Sequence, residues 1–178
     1  MALPEVIRTE RLTLLALTED QLRSYLTGVM GPSSPVGSIS REVLTPILER
    51  AVKMKLEMLP GLVGDDQLWI TYWLIRVPPA DFGAGLIGYK GPPDHVGEVE
   101  IGYGIDSAYR SRGYTTEALL GMVEWAFSDP HCQRILAPET LRSNPASNRV
   151  LQKGGFEVYG EDAQSISWRL DRSRWEER

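Results

Sequence analysis

Apolar residues recur along this chain with two spacings, and each spacing indicates either a strand or a helix. Short β-branched or alternating runs predict strands, whereas apolar positions three and four residues apart predict helices. The predicted strands are Arg8–Leu17, Leu68–Val77, Gly85–Lys90, Glu98–Ile105, Arg134–Leu141, Phe156–Tyr159 and Ser165–Leu170. Helices are predicted after a Thr18 cap, from Ser38 or Ser40 to about Leu59, from about Thr115 to Phe127, and from an Asn144 cap to Gly154.

The order of these elements predicts an α/β (α+β) fold. A strand is followed by two helices, three strands, a helix, a strand, a helix and two strands, which indicates a mixed, mainly antiparallel sheet of six to seven strands with about four flanking helices. Pro138 lies inside Arg134–Leu141 and has no N–H to donate, so this strand is expected to be unpaired on one side there. The length of 178 residues favours a single domain over 1–178, with a charged tail from Asp171 to Arg178.

The second predicted helix has a stripe of residues to bury and a face of charged residues. It follows Gly28–Ser38, a segment rich in Gly, Pro and Ser that is either a lid over a site or a plain surface loop. The predicted buried stripe is Val43, Leu44, Ile47, Leu48, Ala51 and Leu56. The charged residues expected to face solvent are Glu49, Arg50, Lys53 and Lys55.

Composition and charge exclude several classes of protein. The net charge of −5 argues against non-specific nucleic-acid binding, which needs a basic face. No apolar run reaches transmembrane length, the N-terminus has no signal-peptide core, and Cys132 has no partner for a disulfide, so a cytoplasmic protein without a membrane partner is expected. His95 and His131 do not stand at metal-ligand spacing with Cys132, and no metal site is expected.

Residues Gly83–Gly88 match the G-x-G-x-x-G pattern of dinucleotide-binding proteins. In those proteins the pattern leaves a strand and opens a helix. Here Pro78 and Pro79 precede it, and Pro92 and Pro93 soon follow, so a helix is excluded. We predict a strand at this position and no dinucleotide site.

The stretch from Glu98 to Phe127 predicts a strand, a basic glycine-containing loop and a helix. In the loop Arg110–Thr115, successive backbone N–H groups precede the helix, whose dipole has its positive end there. Arg110 and Arg112 add charges suited to phosphate oxygens. These residues alone leave two interpretations open, a phosphate site or an ordinary turn with two solvated arginines.

Glu100 is the carboxylate in this stretch with the strongest claim to chemistry. Strand alternation places it on one face with Glu98, Gly102 and Gly104, and glycines in a strand often mark a bulge or the close approach of a ligand. A carboxylate there could accept a proton from a bound amine, directly or through water. A solvent-facing strand glutamate explains the pattern equally well.

Two motifs resemble those of the GCN5-related N-acetyltransferase (GNAT) family. The first comprises Glu100–Tyr103 and Tyr109–Ala118, which look like the family's acyl-CoA motif. The second is Asn144–Phe156, which is similar to the following N…S…K-x-G-F segment. The opening Arg8–Leu14 also resembles the start of the subgroup that acetylates the N-termini of ribosomal proteins, the RimJ/RimL type. Together these matches span most of the chain in the family's order.

The resemblance implies a site and a reaction. The CoA pyrophosphate would rest on Arg110, Ser111, Arg112, Gly113, Tyr114 and Thr115. The pantetheine arm would lie between two splayed parallel strands, Glu98–Ile105 and Arg134–Leu141, and would contact Tyr103, Gly104, Ile105 and Asn144. A backbone N–H near Tyr103 would polarise the thioester carbonyl, and a neutral amine would attack directly in a ternary complex with acetyl-CoA as co-substrate.

Two positions depart from the family's pattern. Thr115 stands where the family usually has Gly or Ala, and its hydroxyl could bond to the pyrophosphate. Leu151 stands where many members have the tyrosine that protonates the departing thiolate, so by resemblance to the ribosomal subgroup Ser147 becomes the candidate acid. Glu100 is then the candidate base.

The sequence therefore predicts an acetyl-CoA-dependent N-acetyltransferase acting on a primary amine, either a small molecule or a protein N-terminus. A non-catalytic acyl-CoA-binding sensor with the same fold is the alternative, and a homodimer is left open. No motif identifies the acceptor. Aromatic residues that are candidates to line its pocket, although buried core is the commoner role for them, are Tyr25, Trp69, Trp73 and Trp168.

Overall fold

The computed structural model describes residues 3–28, 38–78 and 82–178. The strands are β1 (Val6–Arg8), β2 (Thr13–Ala16), β3 (Ser38–Ile39), β4 (Trp73–Val77), β5 (Phe82–Tyr89), β6 (Glu98–Ile105), β7 (Arg134–Leu141), β8 (Glu157–Glu161) and β9 (Ser165–Asp171). The helices are α1 (Glu19–Thr27), α2 (Pro46–Met58), α3 (Asp65–Ile70), α4 (Tyr114–Phe127), α5 (Pro145–Gly154) and α6 (Arg172–Glu176), with a 3-10 turn at Ser107–Tyr109.

One mixed sheet carries all of these strands in the order β1-β2-β4-β5-β6-β7-β9-β8, with β3 beside β5. Among the described strands, β6 with β7 and β3 with β5 are the parallel pairs, and the others are antiparallel. The predicted fold class, a mainly antiparallel mixed sheet with flanking helices, is confirmed. More strands are present than predicted, partly because a turn at Thr9–Leu12 replaces the start of the first predicted strand and a separate strand, β1, precedes that turn.

The parallel strands β6 and β7 pair only at their beginnings. Their register runs from Glu98 opposite Arg134 to Glu100 opposite Leu136, and beyond that point the two strands diverge. On its other side β7 pairs with β9, but the register shifts between Ala137 and Thr140. This interruption contains Pro138, as its missing N–H predicts. The expected splay is confirmed.

Helices cover the sheet in two separate layers. On one face α4 and α5 pack on β6 and β7, and residues such as Leu119 and Leu151 join Val99 and Ile135 in the larger core. On the other face α1 and α2 cover β4 and β5 through a second core that includes Tyr25, Val52 and Leu86.

Several predicted boundaries were wrong. Leu68–Ile70, predicted as strand, is the last turn of α3, because its residues are buried on all sides and such a run carries no period. Helix α2 begins after a Thr45 cap rather than after Ser38 or Ser40. Its buried face therefore differs from the prediction: Ile47 is 82% exposed, whereas Lys55 is only 6% exposed.

The C-terminal residues form a packed helix instead of only a charged tail. Arg172 begins α6 and donates hydrogen bonds to the backbone carbonyls of Phe127, Asp129 and Cys132. These bonds fix the start of α6 to the segment that joins α4 to β7. Of the predicted loop Gly28–Ser38, the part from 29 to 37 lies outside the described residues.

Candidate functional site

The gap between β6 and β7 is lined by backbone groups. The N–H of Asp106 donates to the carbonyl of Ala84 at 2.8 Å, on the β5 side of the sheet. Because backbone groups of successive strand residues alternate between the two edges, those of Tyr103 and Ile105 face β7. Since the pairing with β7 has ended before this point, the edge at Tyr103 and Ile105 can accept an extended ligand as an added strand.

The loop between β6 and α4 presents N–H groups at the start of a helix. Gly113 caps α4 with a φ of 81° and without a side-chain hydrogen bond. The first intrahelical bond is donated by the Glu117 N–H to the Gly113 carbonyl at 3.0 Å. The N–H groups of the residues between them have no partner within the helix. Ser111 also has a positive φ of 60°. The loop thus has the geometry of an anion site.

The two arginines of this loop are exposed. The Arg112 guanidinium lies over the Tyr109 ring, with its Cζ 5.8 Å from the ring centroid. Thr115 is half-buried in the first turn of α4. Strand edge, loop and helix start follow one another along the chain from Tyr103 to Thr115.

Glu100 lies on the face of β6 opposite α4. Its neighbours Val99 and Ile101 are buried against the α4 layer, so strand alternation turns Glu100 to the side where α1 and α2 lie. Its side chain is 35% exposed and forms an ion pair with the Lys90 ammonium. The Glu100 carboxylate therefore already has one cationic partner.

The missing side chain of Gly102 leaves space next to Glu100. Among the described residues, no atom lies within 4 Å of the position that a Cβ on Gly102 would take. Two residues further on, a Cβ on Gly104 would lie 3.2 Å from Val43 Cγ1. The surface next to Glu100 is therefore open at Gly102. At Gly104 it is bounded by Val43, in the segment that precedes α2.

The first turn of α5 carries the predicted acid. Asn144 caps this helix: its Oδ1 accepts from Ser147 N–H at 3.1 Å, and its Nδ2 donates to Ser147 Oγ at 3.1 Å. Within the described structure, Ser147 Oγ accepts this bond and donates to no protein group, so its proton is free to be donated. Tyr103 connects β6 to the same turn, because its hydroxyl donates to the Ser147 carbonyl at 3.2 Å.

Burial raises the pKa of Tyr103 well above its usual value, although the bond to Ser147 acts in the opposite direction. The phenol therefore stays protonated and serves as a donor to the α5 backbone. Leu151, at the position of the family's tyrosine, is buried in the core. Asn148 further fixes α5, since its amide bonds to the Leu141 carbonyl and to Trp168 Nε1, both at 2.9 Å.

The aromatic residues considered for an acceptor pocket belong to the core: Tyr25, Trp69, Trp73 and Trp168. His95 and His131 are exposed. The part of the chain that the structure describes has no group of three or more metal-ligating side chains placed to hold a metal. It likewise has no helix long and apolar enough to cross a membrane. Residues 83–88, the glycine pattern, lie within β5 and open no helix.

Sequence reasoning missed a contact between the N-terminal turn and the anion loop. Thr9 and Arg11, in the turn that joins β1 to β2, both bond to the carboxylate of Glu117 in the first turn of α4. Arg11 also bonds to the carbonyl of Arg112. The available signal was the resemblance of Arg8–Leu14 to the start of one subgroup, but that resemblance gives no contact.

The chain matches the family model of the acetyltransferase (GNAT) domain over residues 11–157. It therefore belongs to the GNAT family, as its motifs predicted. The chain is also 33% identical over 84 residues to YjdG, an uncharacterized N-acetyltransferase of Bacillus subtilis. That match covers 47% of this chain and 49% of YjdG, so the chain spans about half the length of this relative.

Solved structures share the fold. RimL, a ribosomal L7/L12 alpha-N-protein acetyltransferase solved in complex with coenzyme A, superposes with a TM-score of 0.66 at 15% identity, covering 96% of this chain and 99% of RimL. AAC(6')-Ib, solved with paromomycin and acetyl-CoA, superposes with a TM-score of 0.63 at 17% identity, covering 94% of this chain and 97% of that protein. At these identities the likeness concerns the fold alone.

Proposed function

We propose that this protein transfers the acetyl group of acetyl-CoA to a primary amine. The observation that carries the proposal is the divergence of β6 and β7 directly before an anion loop at the start of α4. A strand edge followed by a phosphate site matches a ligand that has an amide-containing arm and a pyrophosphate. Membership of the GNAT family supports the same reaction.

The described residues fit such a ligand along its length. The N–H groups at the start of α4, with Arg110 and Arg112, would bind the pyrophosphate. The Thr115 side chain, half-buried, would add a hydroxyl donor. The free edge at Tyr103–Ile105 would bond the pantetheine amides, and the N–H of Tyr103 would polarise the thioester carbonyl.

The amine would approach over Gly102 and lose its proton to Glu100. An amine attacks only in its neutral form, and an α-amine has an ordinary pKa of about 8 whereas a lysine side chain has one of about 10.4. The need for a base is therefore greater for a lysine-like acceptor. The Lys90 ammonium, paired with Glu100, would oppose the positive charge of a bound protonated amine and so favour loss of its proton.

Attack on the thioester carbon forms the amide bond and breaks the carbon–sulfur bond. The departing thiolate needs a proton, and Ser147 is the candidate donor, because its hydroxyl accepts from Asn144 and keeps its own proton free. Water is the alternative donor. Asn144 would then serve twice, as the cap of α5 and as the residue that orients Ser147.

A protein N-terminus and a small-molecule amine are both open as the acceptor. One structural neighbour is named for acetylating the α-amine of a ribosomal protein, and the other was solved with an aminoglycoside. The cytoplasmic location that we propose is compatible with either acceptor. The competing function is an acyl-CoA sensor that binds but does not transfer, and transfer kinetics separate the two.

The test is release of the CoA thiol with a panel of amine-bearing peptides, polyamines and aminoglycosides. Glu100→Gln should lower kcat/KM by about 100-fold, in the range typical of a lost general base, with a larger loss for an ε-amine than for an α-amine. Ser147→Ala should lower kcat by a smaller factor. Glu98→Gln is the matched control, because Glu98 lies on the same face but pairs with Arg134 at 2.6 Å, and it should retain activity.

The outcomes divide the proposals cleanly. Binding of acetyl-CoA without thiol release for any amine would favour the sensor. Thiol release that is unaffected by Glu100→Gln would leave the enzyme and remove Glu100 as its base.

A further inference from the structure

We propose that Arg11 is a positioning residue for the anion loop and that it acts by neutralising Glu117. Arg11 lies in the turn between β1 and β2, about a hundred positions away in the chain from the loop it contacts. The inference rests on the proposed function, because it assumes that the loop binds the pyrophosphate of CoA.

Without a cationic partner, the charge of Glu117 would weaken anion binding at this site. It lies in the first turn of α4, beside the N–H groups that would bind an anion, and a second negative charge there opposes phosphate binding. Its carboxylate instead faces the N-terminal turn: Oε1 accepts from Thr9 Oγ1 at 2.6 Å and from Arg11 N–H at 2.7 Å, and Oε2 accepts from Arg11 Nε at 2.7 Å.

These contacts decide the charge state of Glu117. Burial alone raises the pKa of its carboxyl, but the hydrogen bonds from Thr9 and Arg11 outweigh burial and lower the pKa below its usual value. Glu117 is therefore ionised, and its charge is matched by the Arg11 guanidinium. The Glu117 side chain is 15% exposed and that of Arg11 is 45% exposed, so water screens the carboxylate end of the pair less than the guanidinium end.

Arg11 also orients the loop backbone. Its Nη1 donates to the Arg112 carbonyl at 3.0 Å. In a trans peptide the C=O and the following N–H point in opposite directions, so this bond directs the N–H of Gly113 away from Arg11. The guanidinium also lies over the Tyr114 ring, with Cζ 4.9 Å from its centroid, which holds the start of α4.

Gly113 is required by this arrangement. It has a φ of 81°, and a Cβ at this position would lie 3.2 Å from Arg11 Nη2. The guanidinium thus occupies the space beside the cap. Arg11 therefore contacts three neighbouring groups: the Arg112 carbonyl, the Gly113 cap and the Glu117 carboxylate.

The test compares two ligands that differ in the pyrophosphate. Acetyl-CoA carries it, whereas S-acetylpantetheine lacks it and would still lie along the β6 edge. Arg11→Gln should raise the Kd for acetyl-CoA about tenfold, equivalent to ~1.4 kcal/mol, and leave the KM for S-acetylpantetheine unchanged. Arg11→Lys, which keeps the charge, should lose less affinity.

A double variant tests whether Arg11 acts by neutralising the charge of Glu117. If Arg11 neutralises Glu117, then Arg11→Gln combined with Glu117→Gln should return the Kd for acetyl-CoA to within about threefold of the wild type, because the uncompensated charge is gone. Calorimetric titration measures these Kd values directly. Arg8→Gln, an equal change of charge at an exposed position of β1, should bind acetyl-CoA as the wild type does.

Three results would overturn the inference: an unchanged Kd in Arg11→Gln, an equal loss for both ligands, or no recovery in the double variant. An equal loss would mean a general structural role, and no recovery would mean that Arg11 acts through the loop backbone or the phosphate and not by neutralising Glu117. If Arg11→Gln does not fold, the single variant Glu117→Gln decides the question: it should bind acetyl-CoA at least as tightly as the wild type, and weaker binding would overturn the inference. Failure of the wild type to bind acetyl-CoA would instead remove the proposed function, and this inference with it.

Discussion

Lys55 carries its ammonium group inside the layer between α2 and the sheet. It donates hydrogen bonds to the backbone carbonyls of Ile70 and Tyr89 and lies over the Tyr72 ring, with Nζ 4.6 Å from the ring centroid. Burial lowers the pKa of Lys55 from 10.5 to about 7, and the charge of nearby Lys90 acts in the same direction. The carbonyls and the ring compensate only part of the cost of burying the charge.

This burial predicts a pH dependence of stability. Between pH 7 and about 10 the unfolded chain keeps a proton on Lys55 that the folded chain has lost, so the free energy of unfolding should rise with pH in that window. The slope is at most about 1.4 kcal/mol per pH unit for one proton. Lys55→Met should remove this rise, as measured by chemical denaturation at several pH values.

Lys53→Met is the matched control, since Lys53 lies on the same helix but is 60% exposed and pairs with Glu49. It should retain the wild-type slope. A Lys55→Met protein with the same pH slope as the wild type would contradict the account of Lys55.

Residue-scale contacts were the hardest to predict from the sequence. Lys55 was assigned to the solvent face because its charge suggested exposure, and the predicted cap of α2 lay five or seven residues before Thr45. The contacts of Arg11 with Glu117 depend on a turn that meets α4 from far away in the chain, and no local spacing contains that information. Glu100 was placed on the correct face by alternation, but its partner Lys90 was not foreseen.

Elements with strong boundary signals were predicted closely. The bounds of β6 and β7 agree with the prediction, and α5 begins at the predicted Asn144 cap and ends before Gly155, whose φ is 86°. The capping box at Thr18 is also present. Elements without such signals were predicted poorly. Helix α3 is short and has no side-chain cap, and the apolar residues at its end fit a strand pattern equally well.

The cap of α5 should contribute both stability and the position of Ser147. Asn144→Ala removes the acceptor for Ser147 N–H and should lower the free energy of unfolding by about 1 kcal/mol. Asn144→Asp keeps that acceptor and should retain most of the stability, although it removes the donor to Ser147 Oγ. Denaturant unfolding of the two variants measures the difference, and equal stability of Asn144→Ala and wild type would contradict the capping role.

At the scale of the whole molecule, the sheet lies between the two groups of residues that the proposed reaction would use. The α4 and α5 layer carries the anion loop and Ser147, whereas Glu100 and the open space at Gly102 lie on the opposite face. The gap between β6 and β7 is the place where the two faces meet. An acyl donor entering from one side and an amine from the other would come together there, as direct transfer in a ternary complex requires.

Transfer of a labelled acetyl group is the measurement that tests this account most directly. The protein is incubated with acetyl-CoA labelled in the acetyl group and with the amine panel, and the products are analysed by mass spectrometry. The account predicts a labelled amide on at least one amine, formed in equal amount to free CoA and only when protein and amine are both present. Saturable binding of acetyl-CoA with no labelled amine from any acceptor class would contradict it.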